Sequence, residues 1–181
     1  MLESVKQRYP TFSGLSTAFS SSLQPVLLSD LNKAYSDKSP TIGDLDRMYE
    51  YGASALWVKT QLTGIDFVSS TKEDADMNAL TEFSNLFSRQ YHSTKLTEFL
   101  LFIARFKLGQ YGKFYGYFDM LTIGEAFKKF IRERAYEIDS IERRKNNQKY
   151  DNPIAEFERY HEPADYIQVE IDRHKSKFKN K

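Results

Sequence analysis

The chain contains no cysteine, so disulfides, a thiol nucleophile and every thiolate zinc site are excluded. It has only three histidines, and none stands at a spacing that makes a metal site; His161, Glu162 and His174, with Glu158 and Asp165 nearby, form no recognisable ligand pattern. His92 reads as a helix cap or surface residue. Long apolar runs are also missing. The longest, Phe99 to Ala104, has six residues, far short of the 18 that a membrane helix needs. The opening MLESVKQRYP shows no basic segment followed by an apolar stretch, so the expectation is a soluble, unexported, cytoplasmic protein. Phosphate-binding, dinucleotide-binding, zinc-protease and serine-hydrolase motifs are all absent. No catalytic residue, metal, cofactor or small-molecule substrate is expected.

Charge of one sign is absent as well, since the net is +1, but its distribution is uneven. Residues 1–93 carry 8 Lys/Arg against 11 Asp/Glu, residues 94–127 carry 4 against 3, and residues 128–181 carry 14 against 11. Any surface facing a polyanion therefore belongs to the C-terminal third.

What is present is helical periodicity. At 181 residues and 40% hydrophobic composition the chain is long enough to bury a core without staples. Residues 1–24 read as a short helix stopped by Pro10, followed by a serine-rich, weakly ordered arm whose Phe12, Leu15 and Phe19 dock on the body. Pro25 suits a first helical position for a helix to about Ser36. Thr41 and Asp44 resemble a capping box opening a helix to Leu62, with Leu45, Met48, Tyr49, Leu56, Lys59 and Leu62 near one inward face, Gly52 a soft spot, Trp57 half-buried and Gly64 a C-cap. Residues 71–91 open with acids and carry Met77, Leu80, Phe83, Phe87 and Tyr91 at steps of three and four.

Thr94 reads as the N-cap of a helix to residue 108 that is apolar nearly all round, so it should be the most buried, with Gly109 just past its end. Thr122 and Glu125 form a second capping box for a helix ending in Arg143, Arg144 and Lys145. Residues 146–152 read as a polar linker, Pro153 opens a short helix through Tyr160, and Pro163 starts a last one, with the alternation over 166–171 also fitting a short strand. The fold class is thus all-α: a single helical domain of five to seven helices around a central antiparallel pair, 94–108 and 122–145. Residues 1–145 form the helical domain, with the loose arm over 1–24; residues 146–181 form a C-terminal helical extension packed on it.

Between the central helices, Gly109, Gly112 and Gly116 are interleaved with Tyr111, Phe114, Tyr115, Tyr117 and Phe118. Glycine permits the bend, and five rings in eight residues must pack on something. Two uses fit. The rings can clamp the helices together, or, beside Lys107, Lys113, Lys128, Lys129 and Arg132, they can stack bases while the cations hold phosphates. Asp119 fits a helix cap or an ion pair better than a general base.

The pattern K-x-G-x-Y-G-x-F-Y-G-x-x-D, here Lys107, Gly109, Tyr111, Gly112, Phe114, Tyr115, Gly116 and Asp119, followed by Glu133-Arg134, resembles a family of uncharacterised small helical proteins encoded by bacterial phages and mobile elements. The resemblance covers about forty residues and implies a helical protein serving a mobile element's replication or maintenance. It supplies no catalytic residues. The expected function is a non-enzymatic accessory protein that binds DNA or a replication protein through Lys107, Tyr111, Lys113, Tyr115, Tyr117, Lys128, Lys129 and Arg132. The alternative is a protein-interaction or self-assembly module, a homo-oligomer included, with no nucleic-acid contact.

Overall fold

The computed structural model of the chain describes residues 2–66, 77–112 and 120–150, except for the side chains of 66 and 148–150. Among these residues there are nine α-helices and no strand, in keeping with the all-α expectation. The count exceeds five to seven because segments expected as single helices or as loose chain resolve into several short ones. The chain divides into two units, residues 1–135 and 136–181. Of the second, the described part is the distal portion of the last helix, where Arg143 and Asp139 pair across one turn at 2.9 Å.

The N-terminal segment is helical rather than loose: α1 spans Leu2–Arg8 and α2 spans Phe12–Ala18. The residue before a proline is pushed out of the helical region, so α1 stops ahead of Tyr9-Pro10. The Thr11 hydroxyl accepts the Gly14 N–H and starts α2 again. Serine content does not leave this segment free, because Leu15 is completely buried and two anchors hold the backbone: the Tyr49 phenol donates to the Tyr9 carbonyl, and the Trp57 indole donates to that of Phe19. Next, α3 (Gln24–Ser29) and α4 (Leu31–Ala34) replace the expected helix to Ser36. Asp30 takes an extended conformation and its carboxylate accepts the Asn32 N–H, so it caps a new helix instead of continuing the old one.

The helix expected over 42–62 is likewise two. Thr41 and Asp44 form the capping box of α5 (Ile42–Met48). The chain then turns through Gly52, at φ +94°, and α6 runs Ala53–Asp66, past Gly64. Asp46 holds this turn: its carboxylate accepts the Gly52 and Ser54 N–H groups and the Ser54 hydroxyl. The break resets the helical phase. Leu56, expected inside, therefore points to solvent, and Trp57, expected half-buried, is fully enclosed. The following helix, α7, is described over Met77–Gln90; the acids expected in its first turn lie outside the described residues.

The helix α8 (Leu96–Lys107) is the centre of the unit, with ten of its twelve residues buried, Leu96 through Arg105. Its N-cap is Lys95 and not Thr94. Thr94 is used otherwise: it is buried, and its carbonyl accepts the Ile42 N–H. A lysine cannot cap by accepting a hydrogen bond, but Glu98 supplies the reciprocal half, taking the Lys95 N–H at 3.1 Å. The N-terminal half of the chain covers one side of α8 through α3, α4 and α6. Thr97 donates to the Ala34 carbonyl, Leu96 N–H to that of Pro40, and Trp57 packs 5.7 Å from Phe99. On the other side lie α7 and α9 (Met120–Tyr150). Phe127 of α9 meets Phe87, Tyr91 and Phe102 at 4.7, 4.6 and 4.9 Å between ring centroids.

Contacts between α8 and α9 do not follow a single antiparallel register. Phe99 and Phe102 both meet Phe127, while Glu98 and Arg105, seven residues apart, reach Arg134 and Glu133. Two helices that cross give this pattern. The start of α9 precedes Thr122 by two residues, which places the expected capping box inside the helix, and α9 continues through the residues 146–150 expected as linker.

Two glycines give opposite expectations. A Cβ at Gly43 would stand 3.1 Å from the His92 Cβ and 3.2 Å from its carbonyl oxygen, where the Gly43 N–H donates at 2.8 Å. At Gly124, inside α9, a Cβ meets nothing within 4 Å. Alanine at Gly124 should raise unfolding free energy in urea by about 0.5–1 kcal/mol through helix propensity. At Gly43 the same gain is opposed by the clash, and stability should fall. Shifts of equal sign would contradict this packing.

Candidate functional site

The junction of α8 and α9 is where the expected binding residues lie. Past the last turn of α8, Leu108 caps the helix, Gly109 takes φ +75° and Gly112 φ +127°, conformations that any side chain would resist. The intervening Tyr111 is thereby turned back on the helix pair. Its ring sits 5.8 Å from Phe102, and its phenol donates to Glu133 Oε2 at 3.0 Å. The Gln110 amide donates to the same oxygen at 3.3 Å, and the Arg105 guanidinium stands 3.7 Å from it. Burial, and then the Glu133 carboxylate, push the Tyr111 phenol well above the ordinary tyrosine range.

Lys107 is half-buried, and burial lowers the pKa of its amine below the usual lysine value. By contrast, Lys128, Lys129 and Arg132 are all exposed on α9. Lys129 reaches back to the Tyr111 carbonyl at 3.5 Å, the outer limit of a hydrogen bond. Lys113, Tyr115 and Tyr117 lie outside the described residues, together with Phe114, Gly116, Phe118 and Asp119. The fold therefore brings Lys107, Tyr111 and Lys129 to one junction, with Lys128 and Arg132 on the neighbouring helical surface.

Among the described residues, two ion pairs link α8 to α9. Glu98 is completely buried, and Arg134 Nε lies 3.2 Å from its Oε1. The N–H is not aimed at that oxygen, so the contact is a pairing of charges rather than a hydrogen bond. Desolvation raises the Glu98 carboxyl above its ordinary range, against the pull of Arg134 and of the Lys95 N–H. Nothing in the sequence marks this pair, because its members are 36 positions apart and Lys95 does not look like a cap. The neighbouring pair, Arg105 with Glu133, is similarly long-range. The acids and bases of the α8–α9 contact are thus engaged with one another. Among the described residues, no group of three or more His, Asp or Glu is placed to hold a metal ion, and no helix is long and apolar enough to cross a membrane.

A carboxyl whose pKa is raised in the folded state binds its proton more tightly there than in the unfolded chain. Stability from this source is present below the unfolded value of 4.5 and is lost as pH rises through the folded value. Glu98→Gln removes the titration. The stability of the wild type relative to this variant should therefore be greater near pH 4.5 than near pH 7, measured by urea denaturation at both. A difference that does not vary with pH would show that Glu98 is not desolvated as described.

No curated protein and no solved structure matches the chain. The sequence pattern of one family does match, over residues 76–179, a span that takes in α7, α8, α9 and the junction just described. That span is more than half of the chain, and the protein belongs to this family, whose description is Family of unknown function (DUF6633).

Proposed function

We propose that the protein is a non-enzymatic binding module that holds a nucleic-acid backbone against the outer face of α9's first turns. The observation that carries this reading is the placement of Lys128, Lys129 and Arg132. All three are exposed within five positions of one helix, and neither Lys128 nor Arg132 has an acidic partner among the described residues. The fourth cation of this stretch, Arg134, is held inside by Glu98 and takes no part. Cations left on an open helical surface suit a chain of phosphates, which they can meet without giving up internal ion pairs. Tyr111 is turned inward, and the three cations meet phosphate, so binding through them is independent of base sequence and sensitive to salt. An accessory role in phage or mobile-element replication rests on the resemblance of the glycine loop.

Leu108 and Leu121, both strongly exposed at the ends of the junction, favour a second reading in which the surface receives a protein, such as a replication protein. A mobility-shift titration separates the two. Wild-type protein should retain duplex DNA at low salt, with affinity falling with salt at a log–log slope of about 3 for three phosphate contacts. Lys128→Glu combined with Lys129→Glu should abolish retention and leave far-UV circular dichroism unchanged. Absence of any salt-sensitive retention by the wild type would rule out the nucleic-acid reading and leave the protein one.

A further inference from the structure

We propose that a second copy of this chain packs on the outer face of α6 and α7, giving a two-fold symmetric dimer through a surface separate from the cations of α9. These two helices run antiparallel: Lys59 of α6 donates to the Thr81 hydroxyl at 2.8 Å, and Arg89 donates to the phenol of Tyr51, just ahead of α6. Two open grooves flank the Lys59–Thr81 contact, of about 580 Å³ along α7 and about 430 Å³ along α6. Large apolar groups face solvent here, with Tyr51 83%, Leu86 62% and Leu56 53% exposed.

Much of the polar character of this face is already satisfied. The Thr60, Thr63 and Thr81 hydroxyls donate to the carbonyls of Leu56, Lys59 and Met77, four residues back, at 2.9, 2.9 and 2.6 Å. Covering these side chains therefore strips little water from unpaired donors. Tyr51 is also held in advance. Its turn is pinned by Asp46 at the Gly52 and Ser54 N–H groups, and its phenol by Arg89. A rigid tyrosine beside an arginine is a pairing enriched at the centre of protein interfaces, and the exposed leucine next to them adds apolar area.

The charge pattern identifies the occupant. Glu82 and Arg89 lie seven residues apart, two turns along one exposed stripe of α7, and Glu82 has no partner among the described residues. Laying α7 against its own copy in antiparallel sense, with the two-fold axis between Asn85 and Leu86, sets Glu82 opposite Arg89 of the partner subunit. Symmetry repeats the pair on the other side of the axis. A parallel arrangement would instead set Glu82 against Glu82 and Arg89 against Arg89. The stripe is thus self-complementary in one sense only. Since a stable interface covers about 800 Å² per subunit, α7 alone is too small, and Tyr51 with the Leu56 side of α6 extends the contact.

Sedimentation of the full chain over a range of concentrations tests this, with Glu82→Arg, Arg89→Glu, and the two combined. The wild type should shift from monomer to dimer with concentration. Each single reversal sets like charges opposite one another and should weaken the dimer about tenfold or more, whereas the combined swap restores both pairs and should recover most of that loss, short of the wild-type constant by what the Arg89–Tyr51 hydrogen bond contributes. Leu56→Asp, which touches neither charge, should also weaken it. All positions are exposed, so helicity should be unchanged in every variant. A monomer at all concentrations, a dimer indifferent to the single reversals, or a combined swap as weak as the singles would overturn the proposal. Lys128→Glu with Lys129→Glu should leave sedimentation unaltered, which keeps failure of this interface distinct from failure of nucleic-acid binding.

Discussion

The first unit depends on enclosing one helix from every side. A twelve-residue α-helix whose burial runs unbroken from Leu96 to Arg105 cannot be stable with one face in water, and its own apolar residues, Leu96 and Phe99 through Ala104, cannot cover one another. Each such side chain contributes about 1.5–3 kcal/mol when fully buried, provided something meets it. Two sets of elements do so. Trp57 and the short helices α3 and α4 close one side; Phe87, Phe127 and Phe130 close the other. The sequence pattern of the family begins at residue 76, yet much of the cover of its central helix lies ahead of that point. The boundary of that pattern is therefore not a boundary of packing.

The same enclosure sorts the charges of α9. Where α9 crosses α8, any group on the inner side leaves water and requires a partner of opposite sign. Glu98 and Arg134 supply one pair, while Arg105, Glu133 and the Tyr111 phenol supply a second. The remaining cations of these turns, Lys128, Lys129 and Arg132, are left on the outer side. The surface proposed to meet phosphate is thus the complement of the packed one, and its orientation is set by a buried acid on another helix. Elsewhere on the unit, α6 and α7 leave a face whose threonines are internally satisfied and whose charges match their own two-fold image.

Local sequence carried well wherever a helix end or a stripe is settled by near neighbours. The Thr41–Asp44 capping box, the all-round burial of α8 and the positive φ of Gly109 were all legible, because each depends on residues within four positions. Reading failed where a distant group decided. Asp46 reaches six and eight positions ahead to turn the chain at Gly52, and that reversed the expected places of Leu56 and Trp57. The serine-rich segment read as loose because its anchors, Tyr49 and Trp57, lie about forty residues on.

By itself, then, the sequence determined the helical class, the central helix and the position of a glycine turn beside a basic helix start, since periodicity and chain reversal are short-range effects of side-chain shape and backbone sterics. Only the tertiary structure decided which way Tyr111 faces, which of the α9 cations are exposed, and that Glu98 takes Arg134 out of their number. Those outcomes depend on where two helices cross, and a crossing is fixed by the sum of many ring contacts between residues far apart in the chain, which no local pattern encodes.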